Sequence, residues 1–319
     1  MNDLMRTVPG TDLRVHPLGL GGNVFGFNVD EAAAFPILDA YVEAGGNLVD
    51  TADSYCGAWT GGPGGESETV IGSWLRSRRS RDRILISTKV GQLPGRDNLR
   101  AATIVAACED ALRRLGTDHL DLFYAHEDHG DPTDETVAAF ESLVAAGKVR
   151  YAAASNYGPD RLREALDATT GPGRFAALQP RYNLMDREPF ESTLAPLAAE
   201  RGLGVFPWFG LAAGFLTGKH PTTGPALEVL RAPYVEEYRT PRGQRVVDAL
   251  RVVAARHAVT PAAVALAWLA SRPTVVAPLA SVTSTAQLDE LLVMTTLRLD
   301  PADEILLDAA SAPEPAGVR

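Results

Sequence analysis

The sequence predicts a single (β/α)8 TIM barrel with extended loops and a C-terminal helix, and three observations carry that expectation. One grammar repeats along the chain: an Ala/Leu-rich amphipathic stretch, a glycine, a short β-branched run, then polar or aromatic residues. It is seen in "DAYVEAGGNLVDTADSY", "DALRRLGTDHLDLFYAHE", "ESLVAAGKVRYAAASNY" and "PLAAERGLGVFPWFG". The runs after the glycine are apolar on both faces, as strands of a covered parallel sheet are. No Pro/Ser-rich linker divides the 319 residues, so residues 1–319 form one domain, against about 250 for a barrel before insertions.

Taken in order, strands are expected near 15–20, 47–50, 83–89, 120–125, 149–154, 175–179, 203–208 and 274–278. Helices are expected near 31–44, 66–78, 99–115, 133–146, 158–168, 190–201, 241–257 and 284–292, and "PADEILLDAAS" (301–311) adds one outside the repeat. Gly45, Gly116, Gly147 and Gly202 stand where these helices should end, because glycine takes the left-handed C′ conformation without steric cost. A doubly wound open sheet is the competing fold. It would carry G-x-G-x-x-G after its first strand, and "GLGGNVFG" (19–26) puts Val24 where the last glycine belongs. The longest irregular stretch, about 210–240, follows the seventh strand, and long loops in compact domains are usually functional.

Composition excludes several classes. A net charge of −10 with no Lys/Arg cluster argues against nucleic acid or an acidic membrane surface as partner; the basic run "RSRRSRDR" (76–83) carries its own acid and reads as a solvated helix end. Two cysteines, Cys56 and Cys108, are too few for a disulfide scaffold or zinc cluster and point to a reducing compartment. No apolar stretch approaches the ~20 residues of a membrane helix, and "MNDLMRTVPG" lacks the layout of a signal peptide. The expectation is a cytoplasmic protein.

In a barrel of this kind the chemistry gathers at the C-terminal ends of the strands. The residues there are Asp50 and Tyr55, Lys89, His126, Ser155 and Asn156, Gln179, and Trp208. Singly, each has a structural reading as a cap, an ion pair or a core side chain; together on one rim, an acid and an ammonium point to a site. A free phenol, with a pKa of about 10, is a poor acid at neutral pH. An ammonium at Lys89 should lower the Tyr55 pKa while Asp50 holds the lysine charged, and His126 can hydrogen-bond the same substrate oxygen. Protonating a carbonyl oxygen while its carbon is attacked is the demand of aldehyde or ketone reduction. No side chain supplies a hydride, so a cofactor must. Trp208 offers a flat face for a nicotinamide, Ser155, Asn156 and Gln179 the groups a carboxamide needs, and "GLAAGFLTGK", ending in Lys219, a stretch suited to close over a pyrophosphate.

These motifs, with "PLGLGGNVFG", "ISTKVG", "LQPRYNL" and "VVAPLASVTSTAQLDELL", make the sequence similar to the aldo-keto reductase superfamily along nearly its whole length. The resemblance implies the same barrel and a catalytic tetrad of Asp50, Tyr55, Lys89 and His126. It implies cofactor contacts from Gly22, Asn23, Asp50, Ser155, Asn156 and Gln179, with Trp208 and Phe209 beside the nicotinamide. Further contacts are implied from Gly210, Leu211, Ala212 and Lys219 to the pyrophosphate, and from Ser281, Thr283, Gln287 and Glu290 to the adenosine phosphate. NADP(H) is the cofactor the family favours. NAD(H) is the alternative, because Thr283 and Leu291 stand where many members carry a basic residue and Asn; Lys219 or Arg231 would have to compensate.

The substrate is expected to be a small-molecule carbonyl compound held by Phe25, Tyr55, Trp59, His126, Glu127 and Phe209, the last standing in "PWFGL" where many relatives have "PYSPL". The glycine-rich "SYCGAWTGGPGGESE" (54–68) lacks the lysine and spacing of a phosphate loop and reads as a flexible rim. "HEDH" (126–129) has no third ligand beside it, so no metal is expected. The competing functions are a nicotinamide-nucleotide-sensing regulatory barrel with weak or no turnover and a Schiff-base aldolase using Lys89, which Asp50 opposes by keeping the amine charged. A homo-oligomer is open on either reading.

Overall fold

The computed structural model describes residues 4–220 and 232–313, the side chains of Ala58 and Trp59 excepted. Its centre is an eight-stranded parallel sheet in the order β10-β3-β4-β5-β6-β7-β8-β9. The strands are β3 (Gly19–Gly21), β4 (Leu48–Asp50), β5 (Leu85–Val90), β6 (Leu120–Ala125), β7 (Val149–Ser155), β8 (Ala177–Gln179), β9 (Gly204–Val205) and β10 (Leu279–Ala280). The sheet curls, and its two ends meet through the segment before β10. Val205 N donates to Thr274 O (2.9 Å), Val276 N to Val205 O (2.8 Å) and Leu279 N to Pro207 O (2.9 Å). The expected (β/α)8 barrel is therefore the observed one.

Around it run α1 (Glu31–Glu43), α2 (Gly57–Thr60), α3 (Glu66–Arg78), α4 (Ala101–Leu115), α5 (Thr133–Ala145), α6 (Pro159–Asp167), α7 (Ala195–Arg201), α8 (Ala232–Glu236), α9 (Pro241–His257), α10 (Pro261–Ala270), α11 (Thr285–Leu292) and α12 (Pro301–Ser311). The four helix-ending glycines take φ of 92° (Gly45), 68° (Gly116), 72° (Gly147) and 65° (Gly202), the left-handed values expected of them. Side-chain caps start several helices: Asp30 accepts from Ala33 N, Ser284 from Gln287 N, and Asp300 forms a reciprocal box with Asp303. No single helix among the described residues is long and apolar enough to cross a membrane.

Besides the short α2 and α8, which have no counterpart among the expected helices, three elements differ from expectation. The first strand, expected at 15–20, divides: Arg14–Val15 is β2, which pairs antiparallel with β1 (Arg6–Thr7), and only Gly19–Gly21 enters the barrel. The hairpin's Val8, Leu13 and Val15 are buried with Leu48, Leu122, Tyr124, Ala177 and Phe206, so it closes one end of the barrel interior. The eighth strand, expected at 274–278, lies at 279–280, because residues 274–276 are spent on β9. Helix α10 has no counterpart among the expected helices. Its residues 262–270 are all buried, and a helix apolar all round shows no 3.6-residue period; Thr260 at its N-cap and Pro261 in its first turn were the available signals.

Two of the outer helices approach each other unusually closely. At Gly72 on α3 a Cβ would collide with the Arg114 carbonyl and the Leu115 Cα at the end of α4. The same approach lets Arg114 Nε reach Glu68 Oε2 at 2.6 Å, under the strand ends. Gly72→Ala is expected to destabilise the fold by about 1–3 kcal/mol, the usual cost of overpacking, read as a lower urea midpoint at unchanged m-value.

Candidate active site

The register of the barrel assembles the site. Asp50 ends β4 opposite Ser87, Lys89 on β5 stands opposite Tyr124 on β6, and Ser155 on β7 opposite Gln179 on β8. Lys89 is wholly buried. Its Nζ donates to Asp50 Oδ2 at 2.6 Å, to Thr51 O at 2.8 Å and to the Tyr55 hydroxyl at 2.8 Å, and it lies 4.7 Å from the Tyr55 ring centre. Tyr55 is carried there by the turn that leaves β4, and its hydroxyl is 3.4 Å from Asp50 Oδ2. Asp50 Oδ1 accepts from Ser87 Oγ (2.7 Å) and Gln179 Nε2 (3.0 Å), so the carboxylate is held from both sides. His126 follows β6 with its backbone N on Val90 O (2.9 Å), and its ring meets that of Tyr55 edge-on, centres 6.0 Å apart. The four tetrad positions thus converge, which no stretch of sequence shows directly.

The electrostatics correct one expectation. From the sequence, Lys89 should lower the phenol's pKa; instead burial, then the Asp50 carboxylate, push Tyr55 well above the ordinary value for tyrosine. Lys89 and Asp50 neutralise each other, so burial decides. The phenol keeps its proton at neutral pH. Lys89 is itself lowered by burial, with Asp50 acting against that loss. His126 is driven well below the usual histidine range by burial and by Lys89, so its ring is neutral, and its Nδ1 is buried with no hydrogen-bond partner among the described residues. A buried polar nitrogen beside Tyr55 is suited to hydrogen-bond a carbonyl oxygen or its equivalent.

The cofactor residues named from the sequence gather on the same rim, already tied to one another. Ser155 Oγ donates to Gln179 O (2.9 Å), Asn156 Nδ2 to His126 O (3.0 Å), and Trp208 Nε1 to Asn156 Oδ1 (3.0 Å), which fixes the half-buried indole. Gly22 N donates to Asp50 O (2.7 Å), and Ser281 Oγ bonds Asn23 Oδ1. Residues 212–217 form tight turns after Gly210 and Leu211, with φ of 48° at Ala212, 55° at Ala213 and 99° at Gly214, closed by Ala212 N donating to Phe209 O (2.8 Å) and Gly214 N to Leu211 O (2.9 Å). Lys219 Nζ reaches Glu290 Oε2 at 3.4 Å across this groove, and Gln287 Oε1 accepts from Thr283 N (2.9 Å). Gln179 is the departure here, since its amide donates to Asp50 and not into open space.

The expected substrate walls fare unevenly. Phe25 has no exposure; it sits in the core between barrel and helices and presents no face to the site. Glu127 accepts from Gln92 Nε2 at 2.8 Å. Phe209, at φ 65°, lies under the Arg181 guanidinium (4.7 Å) and against Trp208 (5.3 Å) and Tyr238 (6.5 Å), a shelf of which sequence reasoning named Phe209 and Trp208 but missed Arg181 and Tyr238. Arg181 is placed by a bridge to Trp208 and held by Asp186 Oδ2 (3.0 Å). The Trp59 side chain and Arg231 lie outside the described residues. Among the described residues no three His, Cys, Asp or Glu side chains are grouped to hold a metal ion; His129 bonds the Gly91 carbonyl.

The sequence matches a known family. The model of the Aldo/keto reductase family matches residues 17–312. The chain is 32% identical over 304 residues to an uncharacterized oxidoreductase, YrpG, of Bacillus subtilis, covering 91% of this chain and 90% of that protein. It is 30% identical to the protein tas of Escherichia coli (94% and 95%) and 31% identical to a probable voltage-gated potassium channel subunit beta of Oryza sativa subsp. japonica (95% and 95%).

The Lys89–Asp50 pair yields a measurable expectation. Asp50→Asn leaves the ammonium buried without its counter-charge and is expected to cost about 3–5 kcal/mol in urea denaturation at neutral pH.

Proposed function

Because the chain belongs to the aldo/keto reductase family, we propose that it is an NADP(H)-dependent oxidoreductase that reduces an aldehyde or ketone to an alcohol, with Tyr55 as general acid. The observation that carries this reading is the 2.8 Å contact between Lys89 Nζ and a Tyr55 phenol that keeps its proton. A bound nicotinamide would supply the hydride for the carbonyl carbon. The buried His126 Nδ1, without a hydrogen-bond partner among the described residues, fits a site that receives a polar ligand atom. Trp208, Ser155 and Asn156 would hold the nicotinamide end, residues 211–219 the pyrophosphate, and Ser281 to Glu290 the adenosine end, while Gln179 is engaged with Asp50.

On this reading the chain's own groups act in concert. Neutral His126 hydrogen-bonds the substrate oxygen and fixes the carbonyl plane. Tyr55 gives that oxygen its proton as negative charge builds there. Lys89 stabilises the phenolate left behind, while Asp50, braced by Ser87 and Gln179, keeps the ammonium aimed. Phe209 and Trp208 wall the site against water. The raised pKa keeps the phenol protonated in the resting site, and an alkoxide, a far stronger base than a phenolate, still takes the proton downhill. Lys89 fits poorly as a Schiff-base nucleophile, because the carboxylate at 2.6 Å holds it in the charged form.

A second reading, a nucleotide-binding regulatory barrel with weak or no turnover, draws on the rice relative's name as a channel subunit. Oxidation of NADPH in the presence of aromatic aldehydes, quinones and keto-sugars separates the two. Under the reductase reading Tyr55→Phe retains cofactor binding by fluorescence titration and loses kcat by about 10²–10⁴-fold; near-normal turnover removes the tyrosine from the chemistry. Steady-state kinetics with one carbonyl substrate are expected to give a lower KM for NADPH than for NADH, and the reverse order would assign NAD(H).

A further inference from the structure

One buried carboxyl has no part in the proposed proton transfer. Asp53 lies in the turn between Asp50 and Tyr55, is 2% exposed, and neither of its oxygens has a hydrogen-bond partner among the described residues. Its backbone is pinned on both sides of the site: Asp53 N donates to Lys89 O (3.3 Å), and Gly65 N to Asp53 O (2.7 Å). The charged groups facing it are Lys89 from β5, Glu68 from α3, Arg114 from α4 and Arg96 from the loop after β5. Glu68 is already engaged, accepting from Thr88 Oγ1 at 2.5 Å and Arg114 Nε at 2.6 Å. A bare carboxyl in such a place costs stability in its charged form, and a fold retains it only against that penalty.

We propose that Asp53 is a positioning residue of the site, a second carboxyl behind Asp50 whose charge sets how strongly the Lys89 ammonium stabilises negative charge at Tyr55 and the substrate oxygen. This rests on the reductase reading. With Asp53 neutral, Lys89 is balanced by Asp50 alone, and its field reaches the oxygen that gains charge as the carbonyl is reduced. With Asp53 ionised, a further negative charge acts on the same ammonium and opposes that gain. Burial, reinforced by Glu68, lifts the Asp53 carboxyl to about 7. Tyr55 lies well above this range and His126 well below it. The switch therefore falls at neutral pH, where the other two acids of the site are silent.

The test is a pH profile of kcat for NADPH-dependent reduction of benzaldehyde or another accepted aldehyde. In the unaltered protein kcat is expected to fall several-fold between two plateaus as pH rises through about 7. Asp53→Asn should abolish the step without changing KM for NADPH. Glu68→Gln should shift the step to lower pH, because it removes one cause of the raised value, and it decides the matter if Asp53→Asn does not fold. A profile without a step, a step that survives in Asp53→Asn, or one that Glu68→Gln leaves in place overturns the proposal.

Thermal melts give a readout independent of turnover. A carboxyl raised in the folded state contributes stability below its unfolded pKa of about 3.9 that is lost as pH rises through about 7. Asp53→Asn should therefore gain on the unaltered protein between about pH 4 and about pH 7 and hold that margin at higher pH; parallel melts would mean that Asp53 does not titrate there, and the role would fall. Absence of NADPH oxidation with every carbonyl compound, alongside diverging melts, would refute the reductase reading while leaving the titration of Asp53 intact.

Discussion

The buried ion pair between Lys89 and Asp50 is the constraint on which the site depends. An ammonium with no exposed surface is tolerable only if its charge is met at short range and its remaining hydrogens are bonded. Asp50 at 2.6 Å, the Thr51 carbonyl and the Tyr55 hydroxyl meet both conditions. Those three partners lie within six residues of one chain segment, whereas the lysine comes from the neighbouring strand. Pairing β4 with β5 in the register Asp50↔Ser87 is therefore what makes the charge bearable, and the charge in turn penalises any other register.

From that pair the behaviour of the other groups follows. Burial dominates both neighbours: it pushes Tyr55 up, reinforced by Asp50, so the phenol holds its proton, and it drives His126 down, reinforced by Lys89, so the ring is neutral. The arrangement is a set of hydrogen-bonding groups brought together at the strand ends, with the phenol holding its proton. Asp53 adds a second carboxyl to the same electrostatic unit through Lys89, and Glu68 and Arg114 extend it to the outer helices, where Gly72 permits the necessary closeness.

The outer rim obeys a different rule. The groups expected to hold a nucleotide are paired with each other, Trp208 with Asn156, Ser281 with Asn23, Lys219 with Glu290. Such mutual pairing satisfies buried and half-buried polar atoms and orients them for a ligand at small reorganisation cost. The Phe209 shelf works in the same way: a residue at positive φ is held by Arg181 and Tyr238 on one side and Trp208 on the other.

The amino-acid order alone determined the alternation of helix and strand, the glycines that end the helices, and the polar side chains at the strand exits, because each of these is written in local period and local backbone freedom. It therefore also carried the family, and it named Asp50, Tyr55, Lys89 and His126, four side chains that the structure brings together. It could not reveal α10, whose uniform burial erases its period, nor the hairpin that closes the barrel, whose partners lie far along the chain. Phe25 reads as a pocket wall and Asp53 as one more polar residue in "DTADSY"; only packing in three dimensions buries the first in the core and leaves the second without a partner among the described residues behind Lys89. The direction of the Tyr55 shift was likewise a tertiary decision, since proximity of a lysine is legible from motif order but the desolvation that outweighs it depends on how completely the folded barrel excludes water.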